Sequence, residues 1–160
     1  MIRLAKLTDY GLVLMTTMAR KSSAPVHTAR DLASVTRLPL PTVSKLLKQL
    51  LQSGLLASHR GINGGYSLAK EPTEISLAEI IAAIEGPIAL TECSTDVTGL
   101  CDLERSCPSK TNQRVVSEVV RGALQKVMLA DLMQPAASQL PRRSLGHGDI
   151  SCRHLLRHPA

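Results

Sequence analysis

Three cysteines lie close together in the middle of the sequence, where they could bind a metal centre. Cys93, Cys101 and Cys107 are separated by seven and five residues and account for three of the four cysteines in the chain. The residues around them are mostly small, charged or hydroxylated and show no helical or strand periodicity. Cysteines often serve as buried apolar side chains, but three of them on such a polar segment cannot all be buried in a core. We therefore predict that these thiols bind a metal or react.

The expected compartment narrows the kind of thiol chemistry. The N-terminal residues lack the apolar core of a signal peptide, and no run of about 18 apolar residues could span a membrane. We therefore expect a cytoplasmic protein without membrane contact. Thiols stay reduced in the cytoplasm, and a disulfide would leave one of the three cysteines unpaired.

Spacing favours an iron–sulfur cluster among the remaining possibilities. Structural zinc sites usually pair cysteines about two to four residues apart, and no such pair occurs here. Thiolates spread along a polar loop are more typical of the larger iron–sulfur clusters. The residues are compatible with a [2Fe–2S] or a [4Fe–4S] cluster. A structural zinc site and a thiol redox switch stay open as alternatives.

Three cysteines leave one iron site without a thiolate, so a further ligand is needed. No histidine closely follows Cys107, and Cys152 lies far away towards the C-terminus. A single oxygen ligand would make a cluster labile, which suits a sensor better than a structural centre. The candidate carboxylates are those of Asp9, Glu92, Asp96, Asp102 and Glu104.

Composition and charge point to a small helical protein with an anionic partner. The 160 residues have room for one domain, or for a small domain with appendages. Phe and Trp are absent, which argues against single-strand nucleic-acid readers that stack bases on aromatic rings. The net charge of +6 favours nucleic acid before a membrane surface. No enzyme fingerprint occurs, and we predict no enzymatic activity.

The first half of the chain predicts a winged helix-turn-helix, a mainly α fold with a small β-hairpin. A first helix over about 9–20 follows Thr8 as its cap, and a second begins at Thr28 with a capping-box-like Asp31. A third helix carries Pro41 in its first turn and ends before Gly54. Two strands around a glycine-rich turn at 60–65 then predict the wing.

The third helix and the wing supply the candidate contacts to double-stranded DNA. Polar residues near the N-terminus of a recognition helix reach base edges and phosphates, and a wing with little side-chain bulk suits the minor groove. The candidates on these two elements are Pro41, Thr42, Ser44, Lys45, Lys48, Arg60 and Gly61. Lys6, Arg37 and His59 are further candidates for backbone contacts.

The remaining elements frame the cysteines. A helix opened by a Ser76–Glu79 capping box and closed by Gly86 precedes them, and one long helix over about 108–133 follows. Its broad apolar stripe favours a homodimer over packing against its own domain alone. We expect a DNA-binding domain at 1–86, a cluster-binding segment at 87–109, a dimerisation helix at 110–133 and a disordered basic tail at 134–160.

Four segments together resemble the winged-helix iron–sulfur transcription regulators that include IscR and the nitric-oxide sensor NsrR. They run from the first helix to the cysteines in the order of the family, and the resemblance extends over about residues 1–133. Within this family, the chain most resembles the branch of the proteobacterial regulator of the SUF iron–sulfur assembly system. The segments are 3–10, 46–55, 60–69 and 75–86.

The resemblance implies roles for particular residues. Cys93, Cys101 and Cys107 would ligate a cluster, and Asp9 matches a carboxylate that some relatives supply from the first helix of the partner subunit. The chain lacks the histidine that IscR-like members place after the third cysteine, and its first cysteine gap is wider than is common. DNA contacts map to Pro41, Thr42, Ser44, Lys45 and Arg60. Several of these differ from the IscR-like residues, so we expect a different operator.

These features together predict a homodimeric, cluster-sensing transcription regulator, a repressor or an activator. By the resemblance, it would control iron–sulfur assembly genes. The alternatives are sensing of nitric oxide or redox state through the same cysteines, or a winged-helix module with structural zinc or a thiol switch. Electron transfer is disfavoured because it needs neither a winged helix nor a basic surface.

Overall fold

Six helices and one β-hairpin make up the part of the chain that the computed structural model describes, residues 4–20, 26–91, 94, 101 and 106–133. In chain order they are α1 (Lys6–Arg20), α2 (Ala29–Thr36), α3 (Leu40–Gln52), β1 (Leu56–His59), β2 (Gly65–Leu68), α4 (Leu77–Glu85), α5 (Lys110–Gln125) and α6 (Leu129–Leu132). This confirms the mainly α fold with a small hairpin. Within these residues, none of the helices combines the length and the apolar character that crossing a membrane requires.

The first helix starts one turn earlier than the sequence predicted. α1 begins at Lys6, and Thr8 is a buried residue within it, so the prediction of Thr8 as the N-cap is wrong. The Glu85 carboxylate at the end of α4 accepts hydrogen bonds from the Thr8 hydroxyl and, at 2.9 Å, from the Ala5 amide. A side chain distant in sequence therefore satisfies donors at the start of this helix.

The helix-turn-helix forms as its capping residues predict. The Thr28 hydroxyl accepts from the Asp31 amide at 3.2 Å and caps α2. Arg37 takes a left-handed conformation with φ of 57° and ends that helix. Pro41 lies in the first turn of α3, where the missing amide proton costs no helical hydrogen bond. One side of α3 is fully buried through Val43, Leu46, Leu47 and Leu50.

The wing is a two-stranded antiparallel hairpin that packs against α3. The register pairs Leu56 with Leu68 and His59 with Gly65. His27, just before α2, extends the hairpin because its backbone exchanges two 2.8 Å hydrogen bonds with Tyr66. The wing is thereby attached both to α3 and to the start of α2.

The fourth helix completes the core and ends at a glycine. Ser76 and Glu79 form the predicted capping box, with 2.7 Å from the Ser76 amide to the Glu79 carboxylate. Gly86 has φ of 92°, a conformation that L side chains rarely adopt. The buried core unites α1, α2, α3, α4, the start of the hairpin and Leu129 of α6.

The single helix predicted over 108–133 is wrong, because the chain breaks after α5. Met128 is extended and bridges to Ser76, while the Leu129 amide donates to the Ile75 carbonyl at 2.8 Å. Leu129 is fully buried in the core. Backbone pairing and burial of this leucine outweigh the continuous helical pattern. The tail predicted at 134–160 lies outside the described residues.

Candidate nucleic-acid interface and cysteine segment

The exposed side of α3 carries most of the predicted DNA contacts. Pro41, Ser44, Lys45 and Lys48 are all exposed. Ser44 and Lys45 follow Pro41 by three and four residues and precede Lys48 by four and three, so the four side chains share one face. We call these four residues the interface stripe. Thr42 is half-buried beside the stripe. The opposite face is the buried leucine side, and packing therefore fixes which side chains point outwards.

The basic side chains of α3 and its surroundings form no ion pair with a carboxylate among the described residues. The ion pairs among the described residues join Lys70 to Glu79 and Arg121 to Glu118, both on other parts of the molecule. Within that part of the chain, no carboxylate is ion-paired with Arg37, Lys45, Lys48 or Arg60. These cations are available to an external anion such as a phosphate.

The wing turn, residues 60–64, has a defined geometry. The Gly64 amide donates to the Gly61 carbonyl at 3.0 Å and closes a β-turn. Gly61 has φ of 109°, which explains the glycine at this position. Arg60 is exposed, as predicted. Below the turn, His59 Nε2 lies 2.8 Å from the Ser67 hydroxyl, which orients the imidazole across the hairpin.

Ile62 is a feature of the wing turn that the sequence analysis missed. Its side chain is 103% exposed at the tip. The turn therefore carries apolar bulk, whereas the sequence analysis predicted little. The signal was present in the sequence, because a β-branched residue is uncommon in a turn rich in glycine and asparagine.

Lys6, a further candidate for backbone contact, has an aromatic neighbour. Its ammonium nitrogen lies 5.6 Å from the centre of the Tyr10 ring. Such a contact restrains the side chain without neutralising its charge. Lys6 therefore keeps its charge for a further partner.

Two of the three clustered cysteines lie within the described residues. Cys101 and Cys107 are free and half-buried. Cys93 lies outside the described residues, as do Glu92, Asp96, Asp102, Glu104 and Cys152. Partly exposed reduced thiols are able to bind a metal centre or to undergo oxidation.

Asp9 is exposed in the first turn of α1. Across the described part of the chain, no three side chains of His, Cys, Asp and Glu gather as they would around a metal ion. One chain therefore does not bring Asp9 together with both Cys101 and Cys107. The roles predicted for these three residues remain predictions.

The start of the cysteine segment, residues 87–109, is attached to α5. The Leu90 amide donates to the buried Ser117 hydroxyl at 3.1 Å. Next to this bond, the hydroxyls of Thr91 and Ser94 are 2.7 Å apart. Just before the segment, Glu85 at the end of α4 accepts hydrogen bonds from the start of α1. The described start of the segment therefore follows α4 directly in the chain and is hydrogen-bonded to α5.

α5 presents apolar residues on two sides. Val120 and Leu124 are partly covered on the side that packs against α4, where they line a groove of about 590 Å³ with Leu4, Ile81 and Leu90. On another side, Val115, Val116 and Val119 are 57%, 48% and 67% exposed. This second side lacks a cover in the described part of a single chain.

Comparison with known proteins agrees with this architecture. NsrR of Shouchella clausii, an HTH-type transcriptional regulator, is 31% identical over 109 residues, which cover 68% of this chain and 73% of that protein. IscR of Serratia proteamaculans, also an HTH-type transcriptional regulator, is 29% identical over 132 residues, which cover 82% of this chain and 79% of IscR.

The similarity extends to solved structures. The structure of CymR, the global cysteine regulator of B. subtilis, superposes with a TM-score of 0.64 at 28% identity. The match covers 83% of this chain and 97% of CymR. These relatives are transcription regulators, in agreement with the prediction of a non-enzymatic protein. Residues 4–135 match the family model described as Rrf2, iron-dependent transcriptional regulator, and the chain therefore belongs to the Rrf2 family of winged-helix, DNA-binding transcription regulators.

Proposed function

We propose that this chain is a homodimeric transcription regulator that senses iron–sulfur status and controls iron–sulfur cluster assembly genes. One observation carries the DNA-binding part of the proposal. The interface stripe is exposed and basic on the outer side of a helix whose inner side is fully buried. A rigid helix with outward polar side chains is what the major groove accepts.

The DNA contacts divide by chemistry. Thr42 and Ser44 offer hydroxyl groups for base edges near the start of α3, where a recognition helix penetrates deepest. Lys45 and Lys48 carry charges for phosphates, as does Arg60 from the wing. Gly61 lets the wing backbone approach the DNA without side-chain bulk. Pro41 is exposed in the first turn of α3, next to the proposed base contacts.

The exposed side of α5 supports the homodimer. Three neighbouring valines on this helix of 16 residues form an exposed apolar patch that the described part of the chain leaves uncovered. We assign the cover of these valines to α5 of a second copy of the chain. A symmetric dimer would present two α3 helices to successive major grooves of a pseudo-palindromic operator.

The residues of the cysteine segment suit an iron–sulfur cluster by their chemistry. Cys101 and Cys107 are free and partly exposed, and Cys93 would complete the set of thiolates. Asp9 is exposed and does not gather with both Cys101 and Cys107 within the described residues of one chain, so the proposal assigns the oxygen ligand to Asp9 of the partner subunit. When bound, such a cluster supplies a redox-sensitive and labile centre.

The connections of the cysteine segment support a sensing role. Its first residues follow Gly86, and the amide of Leu90 among them donates a hydrogen bond to Ser117 on α5. Ligation of three cysteines would restrain this segment. Loss of the cluster would release the restraint at the N-terminal end of α5, while pairing with 75–77 keeps its C-terminal end on the DNA-binding core. Regulation requires that operator DNA favours one of these two states.

Anaerobic isolation tests the cofactor. We expect stoichiometric iron and acid-labile sulfide with visible absorbance, and loss of both in Cys101→Ala. A colourless protein with one zinc per chain would overturn the cluster assignment. Operator fragments from upstream of iron–sulfur assembly genes should bind more tightly than unrelated duplexes of equal length.

A thiol switch is the second candidate, because Cys101 and Cys107 are free thiols. In this case the anaerobic protein would contain neither iron nor zinc. Mild oxidation would remove titratable thiols and change the affinity for DNA. Nitric oxide sensing through a cluster is distinguished from a thiol switch by the presence of iron and sulfide. It also requires that nitric oxide changes the affinity for DNA.

A further inference from the structure

We propose that Ile62 makes an apolar contact in the minor groove of the operator and contributes to operator selection. This inference rests on the proposed DNA-binding function. It concerns a residue outside the interface stripe and a type of contact that does not depend on charge.

The exposure of Ile62 is not explained by folding. Among the described residues, the other large apolar side chains that are exposed retain between 36% and 67% of their surface, whereas Ile62 is 103% exposed. It contributes nothing to the hydrophobic core. Turn positions favour glycine, asparagine, aspartate or proline, so a β-branched residue here gives no conformational benefit.

The backbone of the wing turn holds Ile62 at the tip. Ile62 and Asn63 are the two central residues of the turn closed by Gly64 and Gly61. A Cβ atom at Gly64 would lie 2.5 Å from the His59 carbonyl oxygen, so the glycine permits this close packing. The strands below are fixed by their register and by the bridge to His27.

The neighbours of Ile62 suit DNA better than a protein surface. Arg60 is exposed in the same turn without an ion-pair partner among the described residues, and Asn63 is exposed beside it. Minor-groove proteins combine arginine and asparagine with apolar side chains such as isoleucine, which contact sugars or enter base steps. The resulting preference is for sequences whose minor groove opens easily.

The test uses a duplex that the wild-type protein selects from a random pool. We expect Ile62→Ala to weaken binding about tenfold, because the apolar contact is lost from both subunits. The slope of log affinity against log salt concentration should stay unchanged, since no phosphate contact is removed. Ile62→Leu, which keeps an apolar side chain, should retain most of the affinity.

Two comparisons identify the groove and separate this inference from the proposed function. Replacing adenine by 2,6-diaminopurine under the wing adds a minor-groove amino group, which should weaken wild type more than Ile62→Ala. Lys45→Ala serves as the control for DNA binding itself. Absence of any selected duplex would remove the proposed function.

Three results would overturn the role of Ile62 while DNA binding stands. One is equal affinity of wild type and Ile62→Ala when Lys45→Ala binds more weakly. Another is an equal effect of diaminopurine on both proteins. The third is a change in self-association, seen by sedimentation, without a change in DNA affinity. Melting curves of Ile62→Ala should match wild type, because the side chain packs against none of the described residues.

Discussion

At the scale of single residues, the proposal assigns much of the attraction for DNA to two lysines on α3. Lys45 and Lys48 are held on the outer face by the leucines that anchor the helix, and no described carboxylate pairs with them. Their charges are therefore available for phosphates, and their contribution should depend strongly on salt. Packing, rather than an ion pair, positions these side chains.

Lys45→Ala should weaken operator binding and reduce its salt dependence. A dimer loses two phosphate contacts, so the slope of log affinity against log salt concentration should fall by about 2. Fluorescence anisotropy at several salt concentrations measures this slope. Lys126→Ala, an exposed lysine at the end of α5, is the matched control and should leave the slope unchanged.

Glu79 gives a prediction about stability and pH. The backbone amide of Ser76 donates to its carboxylate and, with smaller help from Lys70, lowers the pKa of Glu79 below the usual 4.5. The charged form is thus favoured in the folded state. Its stabilisation is fully present above the unfolded pKa and disappears as pH falls through the folded value.

Glu79→Gln should therefore lower the free energy of unfolding at neutral pH and have a smaller effect in acid. Urea unfolding of both proteins across this pH range measures the difference. Glutamine keeps an acceptor for the capping box, so the change isolates the charge. A difference that stays constant down to acidic pH would show that the charge of Glu79 is not responsible.

At the scale of elements, the sequence predicted those helix ends and turns that are stabilised by residues a few positions away in the chain. The capping residues of α2 and α4, the proline of α3 and the glycines of the wing each act within a few residues. Thr8 was assigned wrongly because its partner, Glu85, is 77 residues away. The helix break at 126–128 was missed for the same reason, since strand-like pairing with 75–77 causes it.

Leu129→Ala tests the division between α5 and α6. Because Leu129 is fully buried in the DNA-binding core, the substitution should lower the free energy of unfolding by about 2–5 kcal/mol. Chemical denaturation measures this loss. Val35→Ala, an exposed valine on α2 outside the proposed dimer contact, is the control and should change the free energy of unfolding little. Equal small effects would indicate that the helix runs on past residue 125.

At the scale of the whole molecule, the winged helix is connected to α5 twice, through the cysteine segment before α5 and through α6 after it, whose Leu129 lies in the core. Sequence patterns predicted the order of these parts, because helix caps, wing and cysteines each have distinct signals. They could not predict which face of α5 its own chain covers. That depends on the path of 86–91 and on the bond from Leu90 to Ser117.

Val119→Glu should convert the proposed dimer to monomer and weaken operator binding. A charge placed beside the exposed Val115 and Val116 would be buried without a partner in a dimer but not in a monomer. Sedimentation velocity measures the masses. Gln125→Glu puts the same charge on another side of α5 and should leave the dimer intact. A Val119→Glu protein that still sediments as a dimer would locate the interface elsewhere.

The most direct test of cluster-dependent regulation is a titration of operator DNA with anaerobic protein before and after chelation of its iron. The proposal predicts that chelation changes the affinity of wild type by about 5- to 150-fold, as coupled sites in proteins do. It also predicts that Cys101→Ala binds with the same affinity before and after the treatment. Equal affinity of the two wild-type forms would contradict it.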